Sequence, residues 1–331
     1  MKRSIQNPKS KIQNRHGSIV IASRNHAQLL HRTLASIRAQ RVPFRYELIV
    51  VDDGSTDDTG QVCRRYGVDY CRLENDRYRN PSVARNFGYR RARGEVVIAQ
   101  SDDVVHRSPR AVERLVLELA ASGEFLIATV HDRDPGRSGT HPEPRQYTGP
   151  ENRRPLFFLG SLWRRDLYAI GGNDEDFAEP GYEDNWFADC LMHGLGLEPR
   201  YLPDVIAWHQ PHPRPYDLGK VIEPSRLLYQ QKCDAARRGA ILYRASGGPW
   251  RVSCVSFPGF ESVSFPGSES VSFPGSESVS FPGSAWERII PEAPPRLRVP
   301  ESTMDRKQAE PANQFVPRQS QGTREAPSPK P

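Results

Sequence analysis

The chain lacks a cysteine framework. Its five cysteines, at 63, 71, 190, 233 and 254, form no CxxC pair and no metal-ligand spacing. An odd number without such a pattern excludes a disulfide scaffold and fits a reducing compartment. Long apolar runs are missing as well. No segment approaches the roughly 18 apolar residues of a membrane-spanning helix, so none is expected. The basic start "MKRSIQNPKSKIQNRH" is followed by no apolar stretch of the signal-peptide kind, so a secretory signal is not expected either. A strong excess of one charge is also absent: a formal net charge of +6 does not predict a nucleic-acid partner. The compartment these absences imply is the cytoplasm, with peripheral contact at the inner membrane face allowed.

Two phosphate-binding signatures are missing. A dinucleotide site of the Rossmann type needs glycines in the first strand-to-helix turn, so that backbone can approach the pyrophosphate. Here that turn is "ASRNHAQ" (22–28), without a glycine, and no GxxxxGK[ST] loop occurs. NAD and P-loop chemistry are therefore not expected.

What is present is a regular alternation. "GSIVIAS" (17–23) is a β-branched apolar run, and Leu29, Leu30, Leu34 and Ile37 follow at helical spacing. "YELIVVDDGSTDDT" repeats the unit, with a strand over 46–51 and a helix over 57–66 that Thr56 or Asp57 can cap. A short strand is expected over 68–74. A helix follows over 82–93, ended by Gly94 as a C′ glycine. Then come a strand ending in "QSDD" and a helix over 108–123 with Ser108 as cap and Pro109 behind it. This rhythm predicts an α/β fold: a doubly wound, mostly parallel sheet with helices on both faces. The domain is placed at 17–245, as a regular half over 17–123 and a less regular half over 124–245. Residues 1–16 and 246–331 are expected to be disordered tails. The latter holds "ESVSFPGS" at 261–268, 269–276 and 277–284, a low-complexity tract too short in period for a solenoid.

In such sheets ligands bind outside the carboxyl ends of the strands. Asp52/Asp53 and Asp102/Asp103 fall at such ends, with Ser23, Arg24 and Asn25 at the end of the first strand. Asp53 alone can equally cap a turn. Adjacent carboxylates after a buried strand repel, and a hard divalent cation with phosphate oxygens would relieve them. Glu183 and Asp184 in "GYEDNWF" offer a carboxylate base, and equally suit a helix N-terminus. His209 ends the apolar run "DVIAW", as a structural or a metal-binding histidine, with His212 as a weaker alternative. Trp163, Trp186 and Trp208 are core or ligand-stacking residues, and the sequence does not divide those roles.

The order "SIVIASRN…YELIVVDDGSTDDT…ARNFGYRRARGEVVIAQSDD", then "LYAIGGNDEDF", "GYEDNWF" and "WHQPH", resembles the family 2 glycosyltransferases, which have the GT-A fold. The resemblance covers about 17–213. It implies inverting transfer from a nucleotide-sugar donor, a UDP-sugar in first place, to a hydroxyl acceptor. It implies a divalent metal, Mn²⁺ or Mg²⁺. Carried onto this sequence, Ser23, Asn25, Asp53, Arg85 and Asp102 would bind the nucleotide sugar. Asp102 and Asp103 would hold the metal with His209, and Asp184 with Glu183 would be the catalytic base region. Two positions depart from the pattern: Gln100 stands where an acid is common, and Asn173 replaces an aromatic. The rivals are a nucleotidyltransferase on a similar sheet and a non-catalytic nucleotide- or sugar-binding module.

Overall fold

The computed structural model describes residues 16–132, 145–213 and 217–246. The octapeptide repeats and nearly all of the basic N-terminus lie outside the described residues.

Apolar residues on alternate sides of three strands build two cores. In β1 (Gly17–Ser23), Ile19 and Ile21 join one cluster and Val20 the other. In β2 (Tyr46–Asp52), Leu48 and Val50 part from Ile49 and Val51. In β4 (Val96–Ser101), Val96 and Ile98 part from Val97 and Ala99. Strands buried on both faces read as unbroken apolar runs because helices must cover both sides. The first cluster is closed by α1 (Ala27–Arg38), α2 (Thr59–Tyr66) and α4 (Ala111–Leu117). The second is closed by α3 (Ser82–Arg91), α5 (Arg164–Ala169), α6 (Glu183–Asp189) and α7 (Leu218–Arg237).

Four further strands carry the sheet past β4: β5 (Val104–His106), β6 (Glu124–Asp132), β8 (Leu159–Trp163) and β9 (Glu198–His209). With β3 (Asp69–Arg72) at the other edge the order is β3-β2-β1-β4-β8-β6-β9-β5, and β7 (Arg145–Thr148) pairs with β6. The first half of the sheet is parallel throughout β3-β2-β1-β4. Beyond it the sheet is mixed: β8 runs antiparallel to β4 and β6, β9 parallel to β6, and β5 antiparallel to β9.

Three local expectations change. The helix expected from 57 begins at Thr59, because the Asp57 carboxylate accepts from Thr59 N (3.0 Å) and from Ala27 N (2.9 Å), serving the first turns of two helices. The helix expected over 82–93 ends at Arg91, and Gly94 is not its left-handed cap. A Cβ at Gly94 would lie 2.8 Å from the His16 carbonyl oxygen and 2.6 Å from Ser18 Oγ, so the glycine permits close approach to β1. Ser108 caps nothing. Its hydroxyl donates to the Asp204 carbonyl (2.7 Å) and accepts from Ile206 N (2.9 Å), which ties it to β9, and the helix starts later, at Ala111.

Candidate active site

Sheet register brings the site together. Ser23 lies opposite Asp52, and Ala22 opposite Ser101, so β1, β2 and β4 end at one edge. In β9, His209 is paired with Asp132 of β6 on one side and Val104 of β5 on the other. That places the late histidine beside the β4–β5 turn, where Gln210 N donates to the Asp103 carbonyl at 2.8 Å.

The two aspartates of that turn face different partners. Asp102 accepts from Ser23 Oγ at 2.6 Å and meets His26 Nδ1 at 3.1 Å, while its carbonyl takes the Thr33 hydroxyl at 2.8 Å. Asp103 Oδ2 lies 3.2 Å from His209 Nε2 and 3.1 Å from His212 Nε2. Its other oxygen, Oδ1, is buried without a hydrogen-bond partner. Burial works to raise the Asp103 carboxyl, but the two imidazoles outweigh it and hold it well below the usual carboxylate range. Burial works to lower His209, and Asp103, with Asp132 behind it, raises it. His26 is pushed up to about 9: burial opposes the shift, and Asp102 overrides it.

Asp103, His209 and His212 form a group that could hold a metal ion, with ligand atoms within 4.8 Å of one another. Asp102 does not join it, so the expected aspartate pair divides between the metal group and the Ser23–His26 side. Gln100, the departure from the common acid, faces neither. Its amide donates to the Val104 carbonyl (3.0 Å) and accepts from His106 Nε2 (2.9 Å), clipping the turn on which both aspartates sit. Burial pushes His106 down to about 4, so the ring is neutral, with Nδ1 bare and unpartnered.

At the β2 end the roles divide similarly. Asp52 is structural: it accepts from Ser55 N (2.7 Å) and the Tyr70 hydroxyl (2.6 Å). Asp53 is bracketed by Arg79 Nε (3.0 Å) and Asn75 Nδ2 (2.9 Å), and the Arg24 guanidinium donates to its carbonyl. Asn25 adopts φ 53° and joins the two βα turns, accepting from Thr56 N at 2.7 Å while its own N–H reaches Ser55 Oγ at 2.9 Å.

Across the second core, Arg85 meets Asp184 rather than an open edge: Nη1 lies 2.6 Å from Oδ1, with side-chain exposures of 7% and 13%. A cation expected at a diphosphate is thus committed to the candidate base, because the buried face of α3 packs against the start of α6. Glu183 accepts from Gly181 N at 2.7 Å. Burial, and then the charge of Asp184, push it up to about 7. Tyr182, just before this pair, takes φ 64°. Trp186 is core, 1% exposed; Trp208 lies under the Arg107 guanidinium.

Four residues beside the candidate site were not singled out from the sequence: His26, Arg79, Asn75 and Asp132. Asp132 carried a legible signal, since it closes the run "FLIATVHD" as Asp102 closes "VVIAQSD". His212, ranked below His209, stands level with it in the fold.

Residues 18–174 match the glycosyl transferase family 2 model. The chain is 35% identical over 243 residues to validoxylamine A glucosyltransferase of Streptomyces hygroscopicus subsp. jinggangensis, covering 60% of this chain and 56% of that protein. It is 35% identical over 103 residues to the poly(ribitol-phosphate) β-N-acetylglucosaminyltransferase TarP of Staphylococcus aureus, 30% and 31% of the two chains. The chain thus spans little more than half the length of the first of these relatives. A solved mannosyltransferase, PcManGT from Pyrobaculum calidifontis, in complex with GDP-Man and Mn²⁺, superposes with a TM-score of 0.51 at 23% identity, over 67% of this chain and 64% of that one. The shared fold is the GT-A α/β architecture, and residues 18–174 of this chain carry the glycosyl transferase family 2 domain.

Proposed function

We propose that the chain transfers a glycosyl group from a nucleotide-diphosphate sugar, a UDP-sugar in first place, to an acceptor hydroxyl with inversion. The observation that carries this reading is the convergence of Asp103 Oδ2 with the Nε2 atoms of His209 and His212 at the carboxyl edge of the sheet. The buried, unpartnered Asp103 Oδ1 adds a free acceptor to the group. An anionic oxygen with two borderline nitrogens fits a divalent cation, and suits Mn²⁺ better than Mg²⁺. Such an ion supplies charge stabilisation for a departing diphosphate. That PcManGT is solved with GDP-Man and Mn²⁺ supports the ligand class.

The chain's own residues take the remaining roles. Asp53, held by Arg79 and Asn75, meets the nucleoside, near Ser23 and Asn25. Asp102, oriented by Ser23 and His26, faces the donor. Arg85 fixes Asp184 through Oδ1, and the acceptor hydroxyl is assigned to the same carboxylate. The hydroxyl proton passes to Asp184, the oxygen bonds the anomeric carbon, and the electron pair of the breaking bond leaves on the diphosphate. Attack opposite the leaving group inverts the centre, and the developing oxocarbenium character lowers the demand on the nucleophile.

The test is a turnover screen over UDP- and GDP-linked sugars with Mn²⁺, Mg²⁺ or EDTA. Turnover of at least one donor, abolished by EDTA, is expected. Turnover indifferent to EDTA removes the metal, and no binding of any donor removes the reading in favour of a decayed module. In the same screen Asp184→Asn keeps donor binding and loses about 10²–10⁴-fold in turnover; retained turnover removes Asp184 as base.

A further inference from the structure

We propose that Asp132 is the positioning residue of the Asp103–His209–His212 centre, fixing the ring and tautomer of His209 so that Nε2 is presented to the ion. The inference rests on the metal reading above and goes beyond it, to a residue outside the ligand set.

Asp132 is the last residue of β6 and pairs in register with His209, the last residue of β9. The two strands are parallel, so both side chains leave the sheet at the same edge, and on the same face. His209 Nδ1 lies 3.4 Å from Asp132 Oδ1, while Nε2, on the far side of the ring, lies 3.2 Å from Asp103 Oδ2. All three side chains are largely buried, at 9% exposure for His209, 13% for Asp132 and 10% for Asp103.

A carboxylate can only accept, so the nitrogen facing Asp132 carries the hydrogen. Without an ion Nε2 faces the Asp103 carboxylate and holds a hydrogen too; when a cation displaces that proton, the hydrogen kept at Nδ1 leaves Nε2 as the donor to it. The remaining freedom of the ring is closed by Tyr147, stacked at 5.5 Å and 28°, and by Phe158, edge-on at 5.8 Å and 89°. His212 provides an internal contrast. Its Nδ1 faces the Pro213 carbonyl at 3.0 Å, which selects the same tautomer with an uncharged acceptor from the adjacent residue. Both rings thus turn Nε2 toward one carboxylate oxygen, and a cation that displaced the two Nε2 protons would meet two nitrogens and one oxygen. Asp132 adds what the carbonyl behind His212 cannot: a negative charge that strengthens the ligand and favours a cation in front of it. An outer carboxylate behind a ligating imidazole commonly sets metal affinity within a factor of about 10–100.

The experiment is a titration of the full chain with Mn²⁺ alone, following loss of the free-ion EPR signal, for the wild type, Asp132→Ala, Asp132→Asn and His209→Ala. Asp132→Ala is expected to bind Mn²⁺ about 10–100-fold more weakly, with its metal-free thermal melt unchanged. Asp132→Asn, which keeps volume and an acceptor oxygen but drops the charge, falls between the two and serves if the alanine variant fails to fold. A long-range ¹H–¹⁵N correlation of the imidazoles, with diamagnetic Mg²⁺ in place of Mn²⁺, supplies a second readout: the Nδ1–H tautomer of His209 in the wild type, lost in Asp132→Ala. Mn²⁺ affinity within twofold of wild type for both Asp132 variants, with the tautomer retained, overturns the role of Asp132 and leaves the metal centre standing. A wild type that takes up no more Mn²⁺ than His209→Ala overturns the centre itself, and Asp132 with it.

Discussion

Glu183 and Asp184 are neighbours in sequence with opposite surroundings. Asp184 has a guanidinium at 2.6 Å. Glu183 is buried, accepts one backbone N–H and feels the charge of Asp184, which pushes it up to about 7 from an ordinary value of 4.5. A carboxyl whose folded value lies above its unfolded one binds more protons when folded. Its contribution to stability is therefore complete below about pH 4.5 and is lost as pH rises through about 7. Glu183→Gln keeps the neutral shape, so the decline in stability between pH 5 and 8 should be shallower than in the wild type. Urea midpoints at the two pH values check this, and parallel declines would show that Glu183 is not protonated in the fold. The sequence pattern gave both residues one role, because "GYED" says nothing about which carboxylate meets Arg85 from a helix 99 positions away.

Among the elements, the loop over 171–176 shows how local chemistry and packing combine. Gly171 and Gly172 both take left-handed conformations, at φ 80° and 75°, which a side chain adopts only under strain. Asn86 of α3 then clasps the next residue from both sides, donating to the Asn173 carbonyl at 2.8 Å and accepting from its N–H at 2.8 Å. A Cβ on Gly172 would lie 2.4 Å from Asn86 Oδ1. Gly172→Ala should therefore destabilise by about 1–3 kcal/mol through backbone strain and loss of the clasp, read from urea unfolding. An unchanged midpoint would mean that the loop is not held by Asn86. The same clasp accounts for Asn173 in place of an aromatic only in part: its backbone is satisfied, while its own amide atoms are buried without partners. The motif "GGND" was legible as part of the family resemblance. That α3 would be its partner was not, since the pairing spans 87 residues.

For the molecule as a whole, α7 is the brace. It lies beyond the residues matched by the family model, yet it ties down three segments between residues 174 and 189. Lys232 Nζ reaches Asp174 (3.0 Å) and Asp176 (2.8 Å), Ser225 reaches the Glu179 carbonyl (2.9 Å), and Tyr229 reaches Asp189 (2.8 Å). The side chain of Asp174 is fully buried and that of Lys232 is 8% exposed. Removing one member of such a pair strands the other charge. Lys232→Met should therefore destabilise by about 3–5 kcal/mol, visible as a lower thermal midpoint. An unshifted midpoint would show that α7 does not brace the domain.

Sequence alone determined the βαβ rhythm, the two-faced burial of β1, β2 and β4, and the placing of Asp52, Asp53, Asp102 and Asp103 at carboxyl ends. These follow from short-range patterns, a period of two in strands and of 3.6 in helices, which neighbouring residues carry by themselves. Tertiary structure decided which of those carboxylates act together. It split Asp102 from Asp103, set Asp52 to holding a turn, gave Arg85 to Asp184, and raised His212 to the level of His209. It also brought Asp132 behind His209, through the β6–β9 register. Each of these depends on pairings 18 to 109 residues apart. Such contacts are set by strand register and helix packing across the whole sheet, which no local window of sequence contains.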